Sequence, residues 1–73
     1  MKLMVLTVDV GGEIGTYEVG LNPALVQSVA ERKKDGLVVG SEVWVVNGSE
    51  GPICYAVVEG KAEVHKKFEE ATR

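Results

Sequence analysis

KLMVLTVDVGGEIGTYEVGL, residues 2–21, decides the fold. Two apolar runs, Lys2 to Val10 and Glu13 to Leu21, flank Gly11-Gly12, a dipeptide suited to the positive φ angles of a two-residue hairpin turn. Pairing across that turn sets Met4, Leu6 and Val8 opposite Val19, Tyr17 and Gly15. Leu3, Val5 and Thr7 then fall on the other side, beside Glu18 and Thr16. Strand side chains alternate between faces, so one face can pack on a helix. The second face still shows Leu3, Val5 and Ile14, and something should cover it.

Working outward, Asn22-Pro23 reads as a helix start, because Asn caps a first turn and Pro suits its first position. Leu25, Val26, Val29 and Ala30 recur at helical spacing. Lys33 and Lys34 fall in a last turn, where the helix dipole favours cations, and Asp35-Gly36 reads as the stop. The pattern predicts a helix over Pro23–Lys34. Leu37 to Val46 reads as a third strand, with Gly40-Ser41 as a bulge or break. Asn47 to Gly51 reads as a turn with Glu50 at its tip. Pro52 opens a fourth strand, Ile53 to Glu59, at an edge or first position because Pro has no N–H to donate. Gly60 marks a hinge. Lys61 to Arg73 is helix-prone, with a thin stripe of Ala62, Val64, Phe68 and Ala71 and a Glu63–Lys67 pair at the favourable spacing. The expected class is α+β: a small antiparallel ββαββ unit over residues 1–60 with one packed helix, followed by a helical tail over 61–73. That tail either docks through Val64 and Phe68 or frays.

Composition narrows the function. Seventy-three residues bound a single domain with a modest core. Cys54 is the only cysteine, so no internal disulfide forms. Its setting, Ile53-Cys54-Tyr55-Ala56, reads as core, and a lone thiol fits a reducing compartment. No stretch reaches the ~18 apolar residues of a membrane span. Thr7, Asp9 and the glycines interrupt the N-terminal run before it forms a signal peptide. The expected location is cytoplasmic, with no membrane partner. The net charge is −3. On this reading the carboxylates Asp9, Glu13, Glu18, Glu42, Glu50 and Glu59 fall on strands and turns, whereas Arg32, Lys33, Lys34, Lys61, Lys66, Lys67 and Arg73 fall on helices. An acidic sheet repels phosphate and suits a basic protein surface.

Catalytic chemistry is not encoded in any recognisable arrangement. His65, the only histidine, sits in a charged tail with no serine or cysteine placed to form a triad. One His and one Cys do not make a metal site. Gly11-Gly12-Glu13-Ile14-Gly15 joins two strands, lacks a following Lys-Ser/Thr, and carries a carboxylate that opposes phosphate, so it is no phosphate loop. The expectation is a protein that is not an enzyme and takes no cofactor. Tyr17 reads as core. Trp44 reads as core or as an interface anchor, Trp being enriched among binding hot spots. The candidate contact surface comprises Leu3, Val5, Asp9, Glu13, Ile14, Glu18 and Trp44, where apolar side chains and carboxylates together would meet a basic partner.

Taken whole, from Met1-Lys2-Leu3-Met4-Val5-Leu6 to Phe68-Glu69-Glu70-Ala71-Thr72-Arg73, the chain resembles the small phage-encoded regulators of bacterial RNA polymerase, such as those of lytic Xanthomonas phages. The resemblance covers the full length and the small acidic character. It carries no signature residue. It implies a non-enzymatic protein that docks on the β′ N-terminal region and the β flap near the RNA exit channel, displaces sigma to inhibit initiation, and suppresses intrinsic termination. Two other readings compete. Leu37-Val38-Val39-Gly40-Ser41-Glu42-Val43-Trp44-Val45 is similar to strand starts of SH3-like and swapped-hairpin modules, some of which bind DNA, with Arg32, Lys33 and Lys34 as electrostatic footing. An acidic phage inhibitor of host defence would present carboxylates where phosphates sit.

Overall fold

The computed structural model describes residues 2–46 and 51–73. The turn expected at Asn47–Glu50, with Glu50 at its tip, lies outside the described residues. Among the described residues five strands form one antiparallel sheet: β1 (Met4–Gly11), β2 (Gly15–Leu21), β3 (Val26–Lys34), β4 (Leu37–Val46) and β5 (Pro52–Val57). A 3-10 turn, Pro23–Leu25, links β2 to β3, and an α-helix, α1 (Lys61–Thr72), follows β5. The strand order is β2-β1-β5-β4-β3. An N-terminal hairpin is thus joined to a three-stranded meander through β1 and β5, where Val8 pairs with Val57.

The first hairpin has the expected faces but another register. Met4 pairs with Leu21, Leu6 with Val19 and Val8 with Tyr17, a shift of two residues from the two-residue turn. Gly11 pairs with Gly15, so Gly12–Ile14 make the turn, and an irregularity between Asp9 and Gly11 absorbs the extra residue. Strand side chains repeat every two residues, so a slip of two moves every pairing and leaves every face unchanged.

The expected helix over Pro23–Lys34 is corrected to one 3-10 turn and a nine-residue strand. The Asn22 cap is real, its side chain accepting from the Ala24 N–H at 3.0 Å, but it holds that single turn. A bulge between Val26 and Ser28 then sets Val26 opposite Val45 and Val29 opposite Val43. Two valines three residues apart therefore share a face in a strand, which imitates helical spacing. Asp35-Gly36 is not a helix stop. Both residues have positive φ, 54° and 81°, between Lys34 and Leu37, which pair. Those are the conformations of a tight hairpin turn matched to strand twist.

β4 spans the residues expected of it, and Gly40-Ser41 does not break it, but the register with β3 is irregular beside Gly40, where Arg32 pairs with Gly40 and Lys33 with Val38. Pro52 takes the first position of β5, opposite Val46. Met4, Leu6, Val8, Leu21, Val43, Val45 and Val57 share one buried face, and Val64 and Ala71 of α1 belong to the same cluster. The tail helix is therefore docked, with Phe68 half-buried at its margin. No helix among the described residues is long and apolar enough to cross a membrane.

The turn from β5 into α1 is held by a polar knot. The Ser41 hydroxyl, fully buried, donates to the Glu59 carbonyl at 2.8 Å. The Glu59 carboxylate accepts the Thr7 N–H at 2.9 and 3.1 Å, and Lys67 Nζ lies 3.4 Å from it. Lys67 also donates to the Val5 carbonyl at 2.9 Å. β1, β4, β5 and α1 all meet here.

Candidate interaction surface

Among the described residues the face of the sheet away from α1 has no helix over it. By register it carries Val5, Thr7 and Asp9 from β1, Thr16 and Glu18 from β2, Cys54 and Ala56 from β5, Glu42, Trp44 and Val46 from β4, and Ser28, Ala30 and Arg32 from β3. Alternation on β4 builds half of it: Val43 and Val45 enter the core, so Trp44 and Val46 must point out. Trp44 is 37% exposed; Val5, Val46 and Val58 are also exposed.

This arrangement corrects the reading of Cys54 as core, since it is exposed and pairs with Trp44 across the strands. Its thiol donates to Glu42 Oε2 at 3.6 Å. Partial desolvation pushes the Cys54 thiol above its ordinary pKa, and the hydrogen bond and negative charge of Glu42 push the same way, against an opposing pull from Arg32. Glu42→Gln is accordingly expected to speed Cys54 alkylation by iodoacetamide near neutral pH, because only the thiolate reacts. An unchanged rate would remove Glu42 from the sulfur's surroundings. Tyr17 is not core either: it lies on the helix side, opposite Val8, yet is 47% exposed.

The seven residues singled out from sequence do not form one patch. Leu3 and Val5 are exposed at the start of β1. Asp9 lies toward the turn, Glu13 and Ile14 lie in it, and Ile14 is 79% exposed. Six residues of strand, roughly 20 Å, separate Val5 from Gly11. Glu18 faces outward between the two ends, opposite Thr7. Trp44 pairs with Cys54, three residues along β5 from the level of Val8, and so falls toward the turn end on a strand two removed from β1. Asp9 is also not a free carboxylate. It accepts the Gly11 N–H at 3.0 Å and meets Arg32 Nη2 at 3.5 Å.

That ion pair spans the sheet from β3 to β1. The register puts Gly40 and Ala56 between the two residues, and their small size leaves the guanidinium a path. Among the described residues Arg32 Nη1 is buried with no hydrogen-bond partner. Arg32, Lys33 and Lys34 stand on strand β3, not on a helix, so the sheet is not uniformly acidic: its β3 edge is basic and its β2 edge acidic. Val46 and Val58 were missed as surface residues. The alternation over residues 43–46 carried the signal for Val46.

Among the described residues no group of three or more His, Cys, Asp or Glu side chains gathers where it could hold a metal ion. No protein-family model matches the chain, and no match was found among curated proteins or among solved structures.

Proposed function

We propose that this chain is a non-enzymatic phage protein that works in the bacterial cytoplasm by docking on host RNA polymerase, at the β′ N-terminal region and the β flap beside the RNA exit channel. The surface it uses is the helix-free face of the sheet. Supporting this reading is one observation: among the described residues the sheet face away from α1 has no helix over it, with Trp44 and Val46 exposed toward one end beside Glu42 and Val5 and Val58 exposed toward the other. Exposed large apolar side chains on a sheet face without a covering helix mark a candidate contact surface. Trp is a preferred anchor, and flanking carboxylates steer a basic surface into register. Holding the flap and β′ in an altered relation weakens the grip of sigma at initiation. Occupying the exit channel hinders a terminator hairpin during elongation.

The test is binding to purified bacterial core polymerase. Trp44→Ala and Glu18→Lys are each expected to weaken binding at least about tenfold, as removal of an interface anchor and reversal of a steering charge do. Both should also reduce sigma displacement and terminator read-through. Unchanged affinity in both variants, or no binding by the native protein, overturns the reading.

One observation favours a nucleic-acid module instead. Lys33 and Lys34 flank the β3–β4 turn beside exposed Leu37 and Val38. Two lysines support a log–log salt slope of only about −2 for duplex DNA. A steeper slope would require a larger basic footprint and would favour that module over the polymerase reading.

A further inference from the structure

β3 is an edge strand with two unlike ends. Among the described residues β4 lies on one side of it and no strand on the other. A free edge carries unpaired N–H and C=O groups that template another strand. The bulge at Gln27 bends the start of β3, so its regular run is Ser28-Val29-Ala30-Glu31-Arg32-Lys33-Lys34. The register with β4 sorts these side chains by face. Val29 and Glu31 stand opposite the buried Val43 and Ser41, on the helix side, and alternation puts Lys33 with them. Arg32 is tied to Asp9, whereas Lys33 and Lys34 are exposed.

A groove of about 440 Å³ lies between the first part of β3 and α1. Val26, Val29 and Phe68 form its apolar wall, each only half-buried, and His65 and Glu69 border it. A strand added outside β3 would set every second side chain on this side of the sheet. In antiparallel addition the residue level with Lys33 comes first, then the residue level with Glu31, then the residue level with Val29, at intervals of two. A carboxylate at the first position meets Lys33, a polar group at the second meets Glu31, and an apolar side chain at the third lies over the groove. Lys34 suits a further carboxylate just before the first position. A second copy of β3 does not supply this pattern. Antiparallel pairing over the same residues sets Glu31 against Glu31 and Lys33 against Val29, and like charges directly opposite are destabilising.

We propose that the outer edge of β3 binds an acidic, extended segment of another protein by strand addition. Two adjacent carboxylates of that segment meet Lys34 and Lys33, and an apolar side chain four residues beyond the second enters the groove between β3 and α1. Such addition draws affinity from main-chain hydrogen bonds and specificity from the pockets that receive alternate side chains. The groove opens on the helix side of the sheet, so the inference does not depend on what the helix-free face binds.

The probe is the peptide Thr-Glu-Glu-Val-Thr-Val-Phe-Thr, blocked at both ends and titrated into the full chain while the amide NMR signals are followed. Binding is expected with a dissociation constant below roughly 1 mM, with the largest shifts along β3 and on the α1 residues that border the groove. Exchanging the peptide's phenylalanine for serine should weaken binding at least about tenfold, and so should Lys33→Glu together with Lys34→Glu in the protein. The peptide with lysine for both glutamates should bind the native protein poorly and regain affinity for that doubly reversed variant. Both lysines are exposed, so folding is not at risk, and circular dichroism confirms it. No binding up to roughly 1 mM overturns the proposal. So does binding indifferent to the phenylalanine or to the lysines, or shifts confined to β2. Self-association of the native chain that the peptide fails to displace would give the edge to a second copy and overturn it too.

Discussion

Replacing Gly40 with alanine is expected to leave little folded protein at room temperature. Gly40 has φ of 148°, a conformation side chains rarely adopt, and a Cβ placed on it would stand 2.1 Å from the Val57 carbonyl oxygen. The obstacle is backbone, with Val57 C and Val58 Cα also within 3.2 Å, so no rotamer change relieves it. The strained φ and the overpacking together cost about 3 kcal/mol or more. A core this size supplies only roughly 3–5 kcal/mol in all. The clash also falls where Ser41 pairs with Val57 and reaches on to Glu59, so β4 cannot back away without opening the turn into α1. Two other glycines calibrate the result. At Gly20 the new Cβ meets only the Leu3 side chain, at 3.1 Å, and at Gly12 it meets nothing, although φ there is 61°. Gly20→Ala should be nearly neutral, and Gly12→Ala should cost about 1–2 kcal/mol from its left-handed backbone. Urea denaturation by circular dichroism ranks the three. A Gly40→Ala midpoint close to that of Gly20→Ala would mean that β4 and β5 do not approach as described.

How far the residues themselves disclose this architecture depends on which signal each segment carries. In β1 and β2 the signal is alternation, which survives an error in turn length. The Gly11-Gly12 turn is one residue longer than expected, with a bulge, and the faces still come out right because the slip is even. Over residues 22–36 three local signals agree on a helix, and each has a strand explanation. The Asn22 cap holds a 3-10 turn, the bulge aligns Val26 with Val29, and Asp35-Gly36 is a hairpin turn. The β-branched Val26 and Val29 and the Asp-Gly pair favoured the strand, and tertiary pairing with β4 decided it. Helix propensity is a weak prior when the partner strand lies downstream.

The surface residues divide along the same line. Val5, Glu18 and Trp44 were legible, because alternation puts them opposite the buried series. The pairing of Asp9 with Arg32 was not, because the two residues lie on the first and third strands in sequence and meet only through the β1–β5 junction. Misplacing β3 as a helix also hid the basic edge. Long-range strand order is what local pattern does not encode.

The second large effect is expected at Glu59, whose side chain is 11% exposed. Glu59→Ala removes the acceptor of the Thr7 N–H and one partner of Lys67, which keeps the Val5 carbonyl. A buried donor left unsatisfied costs about 1–3 kcal/mol, and the loss of charge-assisted bonds places this variant toward the upper end. Glu59→Gln retains an acceptor for Thr7 and forfeits only the charge, so it should fall between Ala and the native protein. pH separates the charge from the hydrogen bond. Burial opposes ionisation of Glu59 and is the largest single influence on it. The backbone N–H of Thr7 and the Lys67 ammonium nonetheless outweigh burial and hold the carboxyl below its ordinary pKa. A carboxyl whose pKa is depressed by folding contributes stability that is fully present above its unfolded value, ~4.3, and lost as pH falls through the folded value. The melting temperature of the native protein should therefore exceed that of Glu59→Gln near neutral pH. The gap should shrink as pH drops below about 4 and close once the native carboxyl is protonated. A gap that persists at low pH would assign the stabilisation to shape and hydrogen bonding rather than to charge. A Glu59→Ala variant as stable as the native protein would mean that the turn into α1 is held by Ser41 alone.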